Sequence, residues 1–94
     1  MTVAMYKIVS GEVIISEIVE KLESDKTTIL LKNPTVLVMQ NDPNGELQVG
    51  LAPFLALGSE KVNLYKSTIV AETEPDAALV KQYNQMFSSI ILTN

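Results

Sequence analysis

Short apolar stretches alternate with polar turn clusters along most of this chain. The stretches are rich in Val, Ile, Leu and Thr, and each has the length of one strand or of a bent double strand. This spacing is typical of a small all-β barrel or sandwich. The turn clusters consist of residues that tolerate or preset turn dihedrals: Ser10-Gly11, Glu23-Ser24-Asp25-Lys26, Asn41-Asp42-Pro43-Asn44-Gly45 and Gly58-Ser59-Glu60-Lys61.

The longest predicted strand covers 27–40 and contains a break at Asn33-Pro34. Proline cannot donate a hydrogen bond to a ladder, so a bend or bulge is expected there. After it, alternation predicts one apolar face that carries Leu47, Val49, Leu51, Leu55 and Leu57, with an edge or a kink at Pro53.

The segment 12–23 fits two structures equally well. Its apolar residues follow a helical face better than a period of two: Ile14, Ile15, Ile18, Val19 and Leu22. Most of them are β-branched, however, and β-branched residues favour strands. Strand and helix both remain open for this segment on pattern alone.

One helix is predicted near the C-terminus, from about Pro75 to Ile91. Thr73-Glu74-Pro75-Asp76 supplies a start, with a capping hydroxyl, a first-turn proline and acids at the positive end of the dipole. Apolar residues then recur at helical spacing, and we expect them to pack on a core: Leu79, Val80, Tyr83, Met86, Phe87, Ile90 and Ile91.

Composition limits the chemistry that this chain can perform. Its 94 residues make one domain, and the 47% apolar content suggests that some apolar surface enters a subunit interface. The chain has no Cys, His, Arg or Trp, which removes the usual zinc ligands and nucleophile–base pairs. We therefore expect no enzyme activity and no cofactor.

Two segments rich in side-chain oxygens are candidate cation sites. The acids Glu12, Glu17, Glu20, Glu23 and Asp25 read more simply as a solvated face, because cation sites need carboxylates that converge with fixed geometry. The segment 41–45 reads as turn chemistry. No metal site is expected.

The chain has no apolar run long enough to cross a bilayer, and its first eight residues lack the long apolar core of a secretory signal. The sequence therefore favours a cytoplasmic location.

With its predicted strands laid out at 11–22, 27–40, 46–57, 61–66 and 68–73, the chain resembles the Sm-like family. Val62-Asn63-Leu64-Tyr65-Lys66-Ser67-Thr68-Ile69-Val70 is similar to the second Sm motif. Within it, Tyr65-Lys66 resembles the tyrosine–lysine pair of the bacterial RNA-chaperone branch. Two further segments resemble parts of small Sm-like proteins of tailed phages: Gly11-Glu12-Val13-Ile14 and the break at Lys32-Asn33-Pro34.

This resemblance implies a five-stranded, bent antiparallel barrel that assembles into homo-oligomeric rings by pairing the last two strands of neighbouring copies. It also implies single-stranded RNA as a ligand, contacted by Tyr65, Lys66 and Ser67 at the turn between those strands. A net charge of −4 opposes polyanion binding. The alternative is therefore a structural or regulatory module that binds protein partners without nucleic acid.

Overall fold

The structure, a computed structural model, describes residues 2–19 and 27–92, with side chains as far as Phe87. Its strands are β1 (Thr2–Ile8), β2 (Val13–Ile18), β3 (Thr28–Asn41), β4 (Leu47–Pro53), β5 (Lys61–Tyr65) and β6 (Ile69–Thr73). A 3₁₀ turn, Lys66–Thr68, joins β5 to β6, and one α-helix, α1 (Ala77–Leu92), follows. The prediction of a mostly β domain with a C-terminal helix is confirmed.

The described strands number six, so the predicted count of five was wrong. The missed strand is β1, which lies in the sheet between β2 and β6. Ala4, Tyr6 and Ile8 are buried on one face, and Val3 and Met5 are half-buried on the other. Because both faces are covered, β1 lacks the alternation of apolar and polar residues from which strands are recognised.

The ambiguous segment is a strand where the structure describes it. β2 pairs with β1 on one side and with β3 on the other. Ile14 and Ile15 are both fully buried, on opposite faces. This double burial explains why the segment shows no period of two. Residues 20–26, which include Leu22, Glu20, Glu23 and Asp25, lie outside the described residues.

A bend in β3 organises the sheet. The part before the bend pairs with β5 and the part after it pairs with β4, so both lie along the same edge of β3. At the bend, Asn33 has φ 55°, and the pairing with β2 shifts register between Ile15 and Glu17. The predicted break at Asn33-Pro34 is confirmed.

One face of the sheet carries the main apolar core. Its buried members come from three neighbouring strands and from β5: Ala4, Tyr6, Ile8, Ile14, Ile29, Leu31 and Leu64. Half-buried Ile18, Phe54 and Ile69 pack against them. The predicted apolar face after Leu47 was wrong in part, because β4 ends at Pro53 and both Leu55 and Leu57 lie exposed in the following loop.

Helix α1 covers part of the opposite face. It begins two residues later than predicted, and its first turn is capped by Asp76, whose Oδ1 accepts a hydrogen bond from the Leu79 N–H at 2.9 Å. The predicted cap at Thr73 was wrong, since Thr73 belongs to β6. Gln82 donates from Nε2 to the Val49 carbonyl at 3.1 Å, which ties the helix to β4.

The Tyr83 hydroxyl fixes the helix to the bend of β3. It accepts a hydrogen bond from the Glu17 N–H at 3.0 Å and lies 2.9 Å from the carbonyl oxygens of both Lys32 and Asn33. These backbone groups lie where the β2–β3 register shifts. The Tyr83 side chain therefore satisfies polar groups that the ladder leaves without strand partners.

The described strands form one antiparallel sheet that is not closed. Its order is β4-β3-β2-β1-β6, with β5 added beside β3. β6 pairs with β1, and neither β4 nor β5 pairs with it. No helix within residues 2–19 and 27–92 has the length and apolar character needed to cross a membrane.

Candidate functional site

The three residues named from the sequence lie together at the turn between β5 and β6. Tyr65 ends β5, and Lys66 and Ser67 begin the 3₁₀ turn. The Lys66 N–H donates to the Thr27 carbonyl at 2.8 Å, and Thr68 Oγ1 donates to the Tyr65 carbonyl at 2.7 Å. Backbone and side-chain hydrogen bonds therefore hold the turn in one conformation.

The turn presents an aromatic ring and polar groups to solvent. Tyr65 is 63% exposed, Ser67 is exposed and the Lys66 side chain is half-buried. An exposed ring offers a stacking surface for a base, and an ammonium group can contact phosphate as a point charge.

Val9 lies beside this turn and was not named from the sequence. Its N–H donates to the Thr68 carbonyl at 2.8 Å, and its side chain is 69% exposed. The only feature of the sequence that could have indicated Val9 is its position as an apolar residue directly before the Ser10-Gly11 turn. Only the pairing of β1 with β6 shows that it joins the Tyr65 turn.

The outer edge of β5, on the side away from β3, carries outward-pointing backbone groups. The Asn33 N–H donates to the Glu60 carbonyl at 2.7 Å, and the Lys66 N–H donates to the Thr27 carbonyl. These two bonds show which residue pairs of the β3–β5 ladder are hydrogen-bonded to each other, which we call the phase of the ladder. Hydrogen bonding alternates along an antiparallel pair. Lys61, Asn63 and Tyr65 therefore direct their N–H and C=O groups away from β3, and no strand in the described parts of the chain pairs on that side. Two of these groups have local partners: the Lys61 N–H donates to Ser59 Oγ at 3.3 Å, and the Tyr65 carbonyl accepts from Thr68 Oγ1.

The outer edge of β6 has the same character. The Ile8 N–H donates to the Glu12 carbonyl at 3.0 Å, which sets the phase of the β1–β2 ladder. Met5 and Lys7 consequently direct their backbone groups toward β6, opposite Thr73 and Ala71. Glu72 lies between those two, so its N–H and C=O face outward, where none of the described strands pairs with it.

A concave surface lies beside the loop that follows β4. The groove has a volume of about 410 Å³ and is lined mainly by apolar side chains, among them Pro34, Pro53, Leu57, Met86 and Phe87. Glu60 is the one ionisable residue in its described lining. In residues 2–19 and 27–92, no three acidic side chains come together as a cation site.

No protein-family model matches the chain, and no curated protein matches it significantly.

Proposed function

We propose that this chain is an Sm-like protein that assembles with copies of itself into a closed ring. Three features of the described fold support the Sm-like assignment. The strand β3 is long and bent, it pairs with three other strands, and a 3₁₀ turn joins the last two strands. In the described sheet, β6 forms one margin, and β4 and β5 together form the other.

The single observation that carries the ring is the pair of outward-facing strand edges. Edge strands with exposed N–H and C=O groups pair readily with other chains, and ring closure removes every such edge. Val70 lies at the outer edge of β6 and is 63% exposed. Apolar surface at a strand edge favours burial between copies.

In solution, the protein is expected to form one oligomer of fixed size. A ring has a defined number of subunits, so its mass does not grow with concentration as that of an open filament does. Light scattering after size exclusion and sedimentation velocity, both over a hundredfold range from micromolar concentration, measure this mass. A monomer throughout that range would show that the ring proposal is wrong.

We further propose single-stranded RNA as the ligand of the Tyr65-Lys66-Ser67 turn. The exposed Tyr65 ring beside Lys66 supports this ligand. In a ring, each turn is repeated around the axis, so weak contacts add through multivalency. The charge of −4 on every subunit works against this binding. Affinity is therefore expected at low salt and should fall steeply as salt is added.

Changing Lys66 to glutamate is expected to reduce affinity for short U-rich or A-rich RNA at least about tenfold, without a change in oligomer mass. Fluorescence anisotropy at low salt measures the affinity. Lys81→Glu is the matched control, because it makes the same charge change at an exposed position on α1. Equal losses in both variants would indicate a general charge effect and would contradict a site at the turn.

A protein-interaction module is the second candidate function. It is favoured by exposed apolar side chains near the tip of the β3–β4 hairpin, at the other end of β3 from the Tyr65-Lys66-Ser67 turn. These are Met39, Leu47 and Val49, which are 60%, 63% and 40% exposed. If the unmodified protein binds none of the short RNAs at low salt, the RNA proposal is wrong and a protein partner becomes the leading function.

A further inference from the structure

Hydrogen-bond direction restricts how β5 of one copy can pair with β6 of the next. This inference rests on the proposed ring and concerns which residues face each other within it. In an antiparallel ladder, residues whose backbone groups point at the neighbour stand directly opposite one another. Glu72 must therefore stand opposite Lys61, Asn63 or Tyr65, and an alignment shifted by one residue from any of these is excluded.

Each outer alignment also places an acidic residue opposite Lys61, but one of the paired groups already has a partner within its own copy. With Glu72 opposite Lys61, Tyr65 faces Thr68, whose carbonyl accepts a hydrogen bond from the Val9 N–H. With Glu72 opposite Tyr65, Lys61 faces Asp76, whose carboxylate already caps α1.

The middle alignment matches exposed charged and polar residues whose backbone groups face outward. We propose that Asn63 of one copy stands opposite Glu72 of the next. Lys61 then faces Glu74, one residue beyond the end of β6, and Tyr65 lies beside Val70, where the β1–β6 pairing shifts register. Opposite charges across a strand pair are favourable, and the Asn63 amide can donate to the Glu72 carboxylate.

The environment of Lys61 within one copy supports this partner. Lys61 stands directly opposite Lys32 in the β3–β5 ladder, and like charges in that position repel. The Lys32 Nζ lies 3.8 Å from a Glu60 carboxylate oxygen, which offsets its charge. An incoming Glu74 would supply an equivalent carboxylate to Lys61 from the other side.

Cysteine pairs test the alignment directly, because the chain contains no cysteine. Three variants share Asn63→Cys and add Val70→Cys, Glu72→Cys or Glu74→Cys. Opposite residues have Cα atoms about 5.5 Å apart, which suits a disulfide. A shift of two residues raises that distance to about 8 to 9 Å, which is too far.

Under mild oxidation, we expect the Asn63→Cys/Glu72→Cys variant to form a ladder of linked subunits on a non-reducing gel. The other two variants should cross-link at least about tenfold less. If the variant with Val70→Cys or Glu74→Cys gives the linked subunits instead, the alignment is overturned and the ring proposal stands. If the protein forms a ring but none of the three variants cross-links, the subunit interface lies elsewhere and the alignment is overturned. A monomeric parent protein would overturn both proposals.

Charge exchange gives a second test that introduces no cysteine. Lys61→Glu alone and Glu74→Lys alone should each raise the concentration at which half of the protein assembles, by about threefold or more. Mixing the two variants should restore assembly, since every interface in an alternating ring again joins an acidic and a basic side chain. Mixtures that assemble no better than the separate variants would overturn the pairing of Lys61 with Glu74.

Discussion

Replacing Leu31 with alanine is expected to lower the free energy of unfolding by about 2–5 kcal/mol. Leu31 is fully buried and lies in β3, opposite Ile18 of β2 and Val62 of β5. The substitution removes apolar contact and leaves a cavity where these strands meet. Because domains of this size are stable by only about 5–15 kcal/mol in total, the loss is a large fraction of the whole.

Urea denaturation at a fixed protein concentration measures this effect as a shift in the midpoint with an unchanged slope. Leu57→Ala is the matched control, since the same atoms are removed from a side chain that is 106% exposed. The control should change the free energy of unfolding by less than about 0.5 kcal/mol. Similar losses at both positions would mean that Leu31 does not lie in the core.

Removing the Tyr83 hydroxyl is expected to destabilise the fold by about 1–3 kcal/mol. In Tyr83→Phe, the Glu17 N–H loses its acceptor, and the carbonyls of Lys32 and Asn33 lose the one hydroxyl proton that they share. The Lys32 carbonyl keeps its hydrogen bond from Ser16 Oγ at 2.9 Å. The phenyl ring keeps the packing of residue 83 on Phe87, whose ring centre lies 4.9 Å away. The cost therefore comes from unsatisfied polar groups, which are expensive when buried.

Tyr65→Phe serves as the control, because it deletes the same atom from a ring that is 63% exposed. Urea denaturation should separate the two variants by at least about 1 kcal/mol. If they are equally stable, the hydroxyl does not hold the bend. Circular dichroism would confirm that both variants keep the native content of strand and helix.

Alkaline pH offers an independent check on Tyr83. Burial raises the pKa of its hydroxyl above the ordinary value of 10.0. Its contribution to stability is therefore complete below pH 10 and is lost as pH rises through the folded pKa, because the unfolded chain releases its proton first. We expect the stability of Tyr83→Phe to fall less steeply above pH 10 than that of the parent protein.

Elements that depend on neighbouring residues were predictable. The turn at Asn41–Gly45 forms as expected: Asp42 Oδ1 accepts hydrogen bonds from the N–H groups of Asn44 and Glu46, and Gly45 takes φ 84°. The bend at Asn33-Pro34 and the body of α1 followed from proline chemistry and helical periodicity in the same way. In each case the cause lies within a few residues of the effect.

The candidate site was predictable only in part. Tyr65, Lys66 and Ser67 adjoin one another in the chain, so the sequence could place them on one turn. The position of Val9 beside this turn could not be predicted, since it depends on a pairing between residues about 60 positions apart. The outward direction of Asn63 and Glu72 likewise depends on the phase of two ladders.

The sequence by itself determined the turns, the bend in β3, the C-terminal helix and the absence of cysteine and histidine chemistry, because these depend on residue type and local spacing. Only the tertiary structure decided that Thr2–Ile8 is a strand and that Val13–Ile18 is not a helix. Both segments are covered on two faces, and burial of both faces removes the alternation that marks a strand. The tertiary structure also assigned the Tyr83 hydroxyl to the bend, since a side chain finds distant backbone partners only when the sheet and the helix pack together.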